Sequence, residues 1–153
     1  DTPISNSPFF NVFLAAQIKA NDKGFLSKDV TVNDLVSIKG DVHHLFPKDY
    51  LKRNLFHRSK YNQIANYVLM QSEINIQVGN KSPKDYFSVI MKQIQNNEFK
   101  YGGITTLTEL QSNMEMNCIP NEIFNMEVGD YELFLKLRRK LMAEKIKKYY
   151  NSL

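Results

Sequence analysis

Two adjacent histidines, His43 and His44, have the side chains in this sequence best suited to chemistry. They lie in a short apolar segment bounded by Gly40 and Pro47, so both imidazoles are expected to be partly buried. A neutral imidazole nitrogen binds divalent metals, and with an ordinary pKa of about 6.5 the ring remains basic near pH 7. The pair is therefore suited to divide metal binding and proton transfer around one substrate group.

The geometry of a strand limits how the two adjacent rings can cooperate. Neighbouring side chains of a strand point to opposite faces, so His43 and His44 are poorly placed to chelate one ion by themselves. On its own, such a pair is also compatible with a structural or surface role. Two asparagines favour a functional role, because Asn66 follows His44 by 22 residues and Asn75 follows Asn66 by nine.

The elements that must position these residues follow from residue type. The segment 41–47 predicts a brief strand, and 67–70 predicts a second one. Between them, 48–65 is polar and basic and forms a long connection. Ser72 is expected to cap a short helix that carries Asn75. The middle of the chain is thus predicted to be a strand, a connection, a second strand and a helix.

The N-terminal segment is predicted to be helical. Ser7-Pro8 places a capping side chain before a proline, a pattern typical of a helix start, and the helix is expected over about 8–20. A second short helix is expected near 31–39, with Leu35 and Ile38 facing inward. Aromatic residues at helical spacing, here and further along, are assigned to the core: Phe9, Phe10, Phe13, Tyr86 and Phe87.

The last third of the chain carries further helix signals. Ser82-Pro83 repeats the capping pattern, a helix is plausible over 107–114, and the longest helix is predicted over about 130–150. We therefore expect an α+β fold, mostly helical, with a small two-stranded core embedded between helical segments. It is predicted to be a single domain with three parts: N-terminal helices at 1–39, the core at 40–82 and a C-terminal bundle at 83–153.

Composition excludes several classes of protein. The 153 residues are 42% hydrophobic and 24% charged, which disfavours a disordered chain. The single Cys118 excludes an internal disulfide and a four-cysteine zinc site and is expected to be a small buried residue; we expect a cytoplasmic protein. No apolar run approaches the ~20 residues of a membrane span. Because the sequence begins with Asp1, it is expected to be a piece of a longer chain.

The histidine segment, together with two later ones, resembles a known nuclease motif. The residues are Asp41-Val42-His43-His44-Leu45-Phe46-Pro47-Lys48, then Asn66-Tyr67-Val68-Leu69-Met70, then Asn75. They resemble the HNH motif, also called the His-Me or ββα-metal finger. Three segments are similar to the C-terminal region of GmrSD-like restriction proteins: Gly40 to Leu51, Asn62 to Tyr67 and Arg138 to Met142.

The resemblance implies a role for each motif residue in a metal-dependent endonuclease. His44 would be the general base that activates water, while His43 and the side-chain oxygen of Asn75 would bind one divalent metal ion. Asn66 would brace the connecting loop through hydrogen bonds to the backbone, and Asn62 is a rival for that middle position. The chemistry would be hydrolysis of DNA phosphodiester bonds.

The metal set departs from many relatives, which have an aspartate where this chain has His43. Both proposed protein ligands are then neutral, and imidazole favours Mn²⁺ or Ni²⁺ relative to Mg²⁺. We expect one divalent ion, Mg²⁺ or alternatively Mn²⁺ or Ni²⁺, with Mn²⁺ or Ni²⁺ supporting cleavage at least as well as Mg²⁺.

The charge pattern is compatible with a DNA partner. Net charge is +4, and segment 129–153 alone carries seven basic and three acidic side chains. Around the proposed site, basic residues are expected to contact phosphates, although a solvated basic loop is an open alternative. These residues are Lys48, Lys52, Arg53, Arg58 and Lys60. The remaining histidine, His57, is expected to be an exposed loop residue.

The resemblance also implies a biological setting and leaves an alternative open. It implies a bacterial restriction or phage-defence role, with an upstream NTPase-like domain outside this sequence; from the absence of a long apolar run we expect no membrane association. RNA as substrate would use the same chemistry. The alternative function is a catalytically inactive module that binds nucleic acid or a protein partner and keeps the HNH scaffold.

Overall fold

The computed structural model describes residues 7–153. In this part of the chain, helices dominate and one two-stranded antiparallel sheet lies among them, so the fold is α+β and mostly helical, as predicted. The helices are α1 (Pro8–Lys19), α2 (Val32–Ser37), α3 (Lys48–Arg53), α4 (Arg58–Tyr61), α5 (Ser72–Val78), α6 (Pro83–Asn96), α7 (Leu107–Met116) and α8 (Tyr131–Asn151). The strands are β1 (Val42–His44) and β2 (Tyr67–Leu69). Short 3-10 helices cover Ile64–Asn66, Asn121–Asn125 and Val128–Asp130.

The sheet places the two histidines on opposite faces. His43 pairs with Val68 and His44 pairs with Tyr67 in the antiparallel register. Because directly opposite residues share a face and neighbours alternate, the rings of His43 and His44 diverge. The connection between the strands is not a simple loop, since it contains α3, α4 and the 3-10 turn Ile64–Asn66.

Both predicted serine-proline caps are present. The Ser7 hydroxyl accepts a hydrogen bond from the backbone N–H of Phe10 at 3.4 Å, and Pro8 is the first residue of α1. The Ser82 hydroxyl accepts a hydrogen bond from the N–H of Asp85 at 3.2 Å, and Pro83 is the first residue of α6. Each cap satisfies a backbone donor that the first helical turn leaves without a partner.

Three local predictions are wrong. Phe9 is 75% exposed, because Phe10 takes the inward position of α1. Ile38 is 74% exposed and is the residue after the last turn of α2, so it does not share the buried face of that helix. Ser72 is the first residue of α5 rather than its cap; the cap position belongs to Gln71, whose side chain makes no capping hydrogen bond.

The long helix α8 packs against α1 and carries a buried cation in its apolar face. Arg138 is 0% exposed and lies three residues after Leu135 and four before Met142, both of which are buried. Positions separated by three and four residues share one helix face. Arg138 therefore enters the core at the level of the small sheet, where its partners lie.

Across residues 7–153, each helix is too short or too polar to cross a lipid bilayer. Cys118 is buried, at 5% exposure, as expected for a small core residue.

Candidate active site

The last residue of β1, His44, is held by one hydrogen bond and two aromatic contacts. Its Nε2 lies 3.0 Å from the side-chain oxygen of Asn62, the residue that directly follows α4. The Tyr67 ring meets the imidazole edge to face at 5.3 Å between centroids, and the Tyr61 ring does so at 6.4 Å. The half-buried imidazole is therefore fixed in position by residues of the connection and of β2.

The contact with Asn62 determines which ring nitrogen of His44 can take a proton. An amide oxygen only accepts hydrogen bonds, so this contact is a hydrogen bond in the tautomer with hydrogen on Nε2, which leaves the lone pair on Nδ1. Burial lowers the pKa of His44; the hydrogen bond to Asn62 raises it, and the positive charge of Lys48 lowers it further. The lowered pKa keeps the ring neutral near pH 7, which is the form that a general base requires.

Asn66 is fully buried and braces the connection through three backbone hydrogen bonds. Its side-chain oxygen accepts from the N–H of Phe46 at 2.8 Å, and its amide nitrogen donates to the carbonyls of Phe46 and Tyr61, each at 3.1 Å. The carbonyl of Asn66 also accepts from the N–H of Leu45 at 2.9 Å. The bracing expected of Asn66 is present, and its amide holds both ends of the connection together.

The other histidine, His43, has an unused ring nitrogen. Its Nε2 is shielded from solvent and has no hydrogen-bond partner within residues 7–153. Burial is the main cause of a lowered pKa for His43, against the opposing charge of Asp41. Buried polar atoms normally have a partner, so a neutral nitrogen without one fits the role of a metal ligand.

Asn75, the second proposed metal ligand, lies half-buried on α5. In the part of the chain that the structure describes, its side chain makes no hydrogen bond, and no bond joins it to His43. Among residues 7–153, no three or more His, Cys, Asp or Glu side chains are grouped to hold a metal. An ion bound here would therefore depend on two neutral donors and on ligands from outside the chain.

Two of the predicted phosphate contacts, Lys48 and Lys52, lie beside Tyr61, whose ring meets that of His44 edge to face. The ammonium groups of Lys48 and Lys52 lie 5.8 and 5.9 Å from the centroid of that ring. The Arg53 guanidinium donates to the carbonyl of Asn80 at 2.9 Å. Lys48 is half-buried; the exposed members of the predicted set are Lys52, Arg53, Arg58 and Lys60. His57 is also exposed, as expected.

The buried guanidinium of Arg138 holds the backbone on both sides of Asn66. One Arg138 nitrogen donates to the carbonyls of Ala65 and Tyr67, at 2.8 and 2.6 Å. The other two donate to the carbonyl of Asn117, at 3.4 and 3.2 Å. Burial lowers the pKa of Arg138 to about 10, so the group still carries its charge at neutral pH. This role of Arg138 was not predicted, because its only signal in the sequence is an arginine at core spacing in α8.

Two buried tyrosines complete the support from the C-terminal helices. The Tyr131 hydroxyl donates to the carbonyl of Lys60 at 2.8 Å, directly before the residue that touches His44. The Tyr86 hydroxyl donates to the carbonyl of Leu45, directly after His44, at 2.7 Å. Burial raises the pKa of both phenols, so both remain protonated donors at neutral pH. The connection and the end of β1 are therefore positioned by α6 and α8.

Comparisons of this chain with protein-family models, with curated proteins and with solved structures find no match. Its function is therefore inferred from its residues and their geometry.

Proposed function

We propose that this chain is a metal-dependent endonuclease domain that hydrolyses DNA phosphodiester bonds. The observation that carries the proposal is the placement of His44: its Nε2 lies 3.0 Å from the Asn62 side-chain oxygen, and two tyrosine rings meet the imidazole edge to face, while burial lowers its pKa. A rigid base with one defined basic nitrogen is what deprotonation of an attacking water requires.

The remaining motif residues supply the support that such a base needs. Nδ1 of His44 accepts the proton of the attacking water, and Asn66 keeps the connection that carries the Tyr61 contact in place. His43 and Asn75 are the residues that would hold the divalent ion. When bound, that ion would polarise the phosphate and offset the negative charge that builds in the transition state.

The basic residues next to the site suit a phosphate-bearing substrate. Lys52 lies beside the ring of Tyr61, which meets the imidazole of His44, and Arg58 and Lys60 are exposed on the same connection between the strands. Each phosphate contact adds affinity that salt weakens through release of counterions. The resemblance to GmrSD-like proteins extends this proposal to a cytoplasmic bacterial restriction or phage-defence protein, in which an upstream NTPase-like domain controls cutting.

The test is nicking of supercoiled plasmid DNA by purified protein with Mg²⁺, Mn²⁺ or Ni²⁺. The wild type is expected to nick the plasmid, and His44→Ala is expected to lose at least 100-fold in rate while it keeps its far-UV circular dichroism. The matched control is His57→Ala, because His57 is exposed and its side chain makes no capping contact. Equal rates for all three proteins would show that His44 is not the base.

The second candidate is a catalytically inactive module that binds DNA or a protein partner. One observation favours it. Nε2 of His43, the nitrogen without a hydrogen-bond partner, is shielded from solvent, so a metal ion from solvent does not reach it in this conformation. An inactive module would retard labelled duplex DNA in a salt-dependent manner, with no cutting in the presence of any of the three metals. RNA tested in the same two assays distinguishes the substrate class.

A further inference from the structure

We infer that Asn62 is a positioning residue that orients His44 and holds the hydrogen on its Nε2. The inference deepens the proposed function and rests on it for the expected effect on rate. Its structural basis is the 3.0 Å contact between the Asn62 side-chain oxygen and His44 Nε2, which joins residues 18 positions apart. Asn62 was expected only as a rival to Asn66; the two asparagines instead make different contacts.

The backbone that presents the Asn62 amide is held from three directions. Its own N–H donates to the carbonyl of Arg58 at 3.0 Å and closes the last turn of α4. The carbonyls of the two preceding residues accept hydrogen bonds from buried side chains: that of Lys60 from Tyr131 and that of Tyr61 from Asn66. Asn62 therefore keeps its position without any contact from substrate.

The other neighbours of His44 leave the choice of nitrogen open. The rings of Tyr61 and Tyr67 lie at 66° and 87° to the imidazole, so they restrict its plane but do not distinguish Nδ1 from Nε2. A 180° turn of the ring about its Cβ–Cγ bond would exchange Nε2 with Cε1 and Nδ1 with Cδ2 within the same aromatic walls. The Asn62 oxygen separates these two orientations because it lies at Nε2, and as an acceptor it favours the tautomer with hydrogen on that nitrogen.

Two substitutions separate the hydrogen-bond acceptor from the shape of the side chain. Asn62→Leu keeps a similar volume and removes the acceptor, whereas Asn62→Asp keeps an acceptor oxygen. The matched control is Asn54→Leu, because the side chain of the exposed Asn54 bonds only to the carbonyl of Tyr50 in the preceding helix α3. Circular dichroism and thermal unfolding verify that each variant is folded.

The first readout is NMR of the imidazole nitrogens in uniformly ¹⁵N-labelled, tag-free protein at pH 8. The chain contains three histidines, so His44→Gln assigns the His44 signals. We expect a single neutral form with hydrogen on Nε2, in slow exchange with water, in the wild type, in Asn62→Asp and in Asn54→Leu. In Asn62→Leu, the Nε2 hydrogen is expected to exchange rapidly. Hydrogen on Nδ1 in the wild type, or slow exchange in Asn62→Leu, would overturn the inference.

The second readout is the nicking rate with saturating metal. Asn62→Leu is expected to lose about tenfold or more in kcat with KM within about twofold, the effect of one lost hydrogen bond of ordinary strength. Asn62→Asp is expected to stay within about threefold of the wild type. Full activity of Asn62→Leu would refute the positioning role. Absence of cutting by the wild type would refute the proposed function instead, and the NMR result would still decide whether Asn62 orients the ring.

Discussion

Replacing Arg138 by methionine tests whether α8 fixes the site. Methionine fills much of the same space but offers no donor, so the carbonyls of Ala65, Tyr67 and Asn117 lose their partner. Each unpaired buried carbonyl costs about 1–3 kcal/mol. Relief of the cost of burying a cation offsets several kcal/mol of that sum. We expect the free energy of unfolding to fall by about 2–4 kcal/mol, and the melting temperature by about 4–16 °C.

The assay is urea unfolding followed by circular dichroism, with Arg139→Met as the matched control. Arg139 is the next residue of the same helix but is exposed, and it donates only to the Gln63 side chain at 3.0 Å. Its substitution is expected to change the free energy of unfolding by less than about 0.5 kcal/mol. Suppose that the two variants unfold at the same midpoint urea concentration, with equal slopes of unfolding free energy against urea concentration. Then the carbonyls around Asn66 do not depend on Arg138, and α8 does not support the site.

Three further predictions concern the loop, the base and the metal. Asn66→Ala is expected to lower the free energy of unfolding by about 2–4 kcal/mol, since the N–H of Phe46 and two carbonyls lose their partners; urea unfolding measures this, and a loss below about 1 kcal/mol would contradict it. The nicking rate is expected to be constant near pH 7 and to fall only below the ordinary histidine pKa of about 6.5. Burial lowers the pKa of His44, and protonation below that pKa removes the base. A rate unchanged down to pH 5 would argue against His44. Mn²⁺ or Ni²⁺ is expected to support nicking at least as well as Mg²⁺, because His43 and Asn75 are neutral donors; clear superiority of Mg²⁺ in parallel reactions would show that other ligands hold the ion.

The small sheet could be predicted because its signals are local. Gly40 and Pro47 bound β1, apolar residue types mark β2, and the alternation of a strand places His43 and His44 on opposite faces. The serine-proline caps are equally local and begin α1 and α6 as expected. These signals are carried by a few consecutive residues, and the packing of the rest of the chain did not change their outcome.

The support of the site could not be predicted because its acceptors are backbone carbonyls. Carbonyls occur at every residue, so nothing in the sequence indicates that Arg138 bonds to Ala65 or that Tyr131 bonds to Lys60. The roles of Asn62 and Asn66 also depended on the path of the connection, which α3 and α4 determine. Phe9 was misplaced for a related reason: two adjacent aromatic residues at a helix start leave the inward direction undetermined, and tertiary packing selected Phe10.

The separation between Arg138 and its partners has a consequence during protein synthesis. Arg138 follows Ala65 by 73 positions, and Tyr131 follows Lys60 by 71. The ribosome thus releases both histidines well before it makes the residues that order their surroundings. Until α8 has been translated, the loop bearing Asn62 lacks the two anchors that Tyr131 and Arg138 supply.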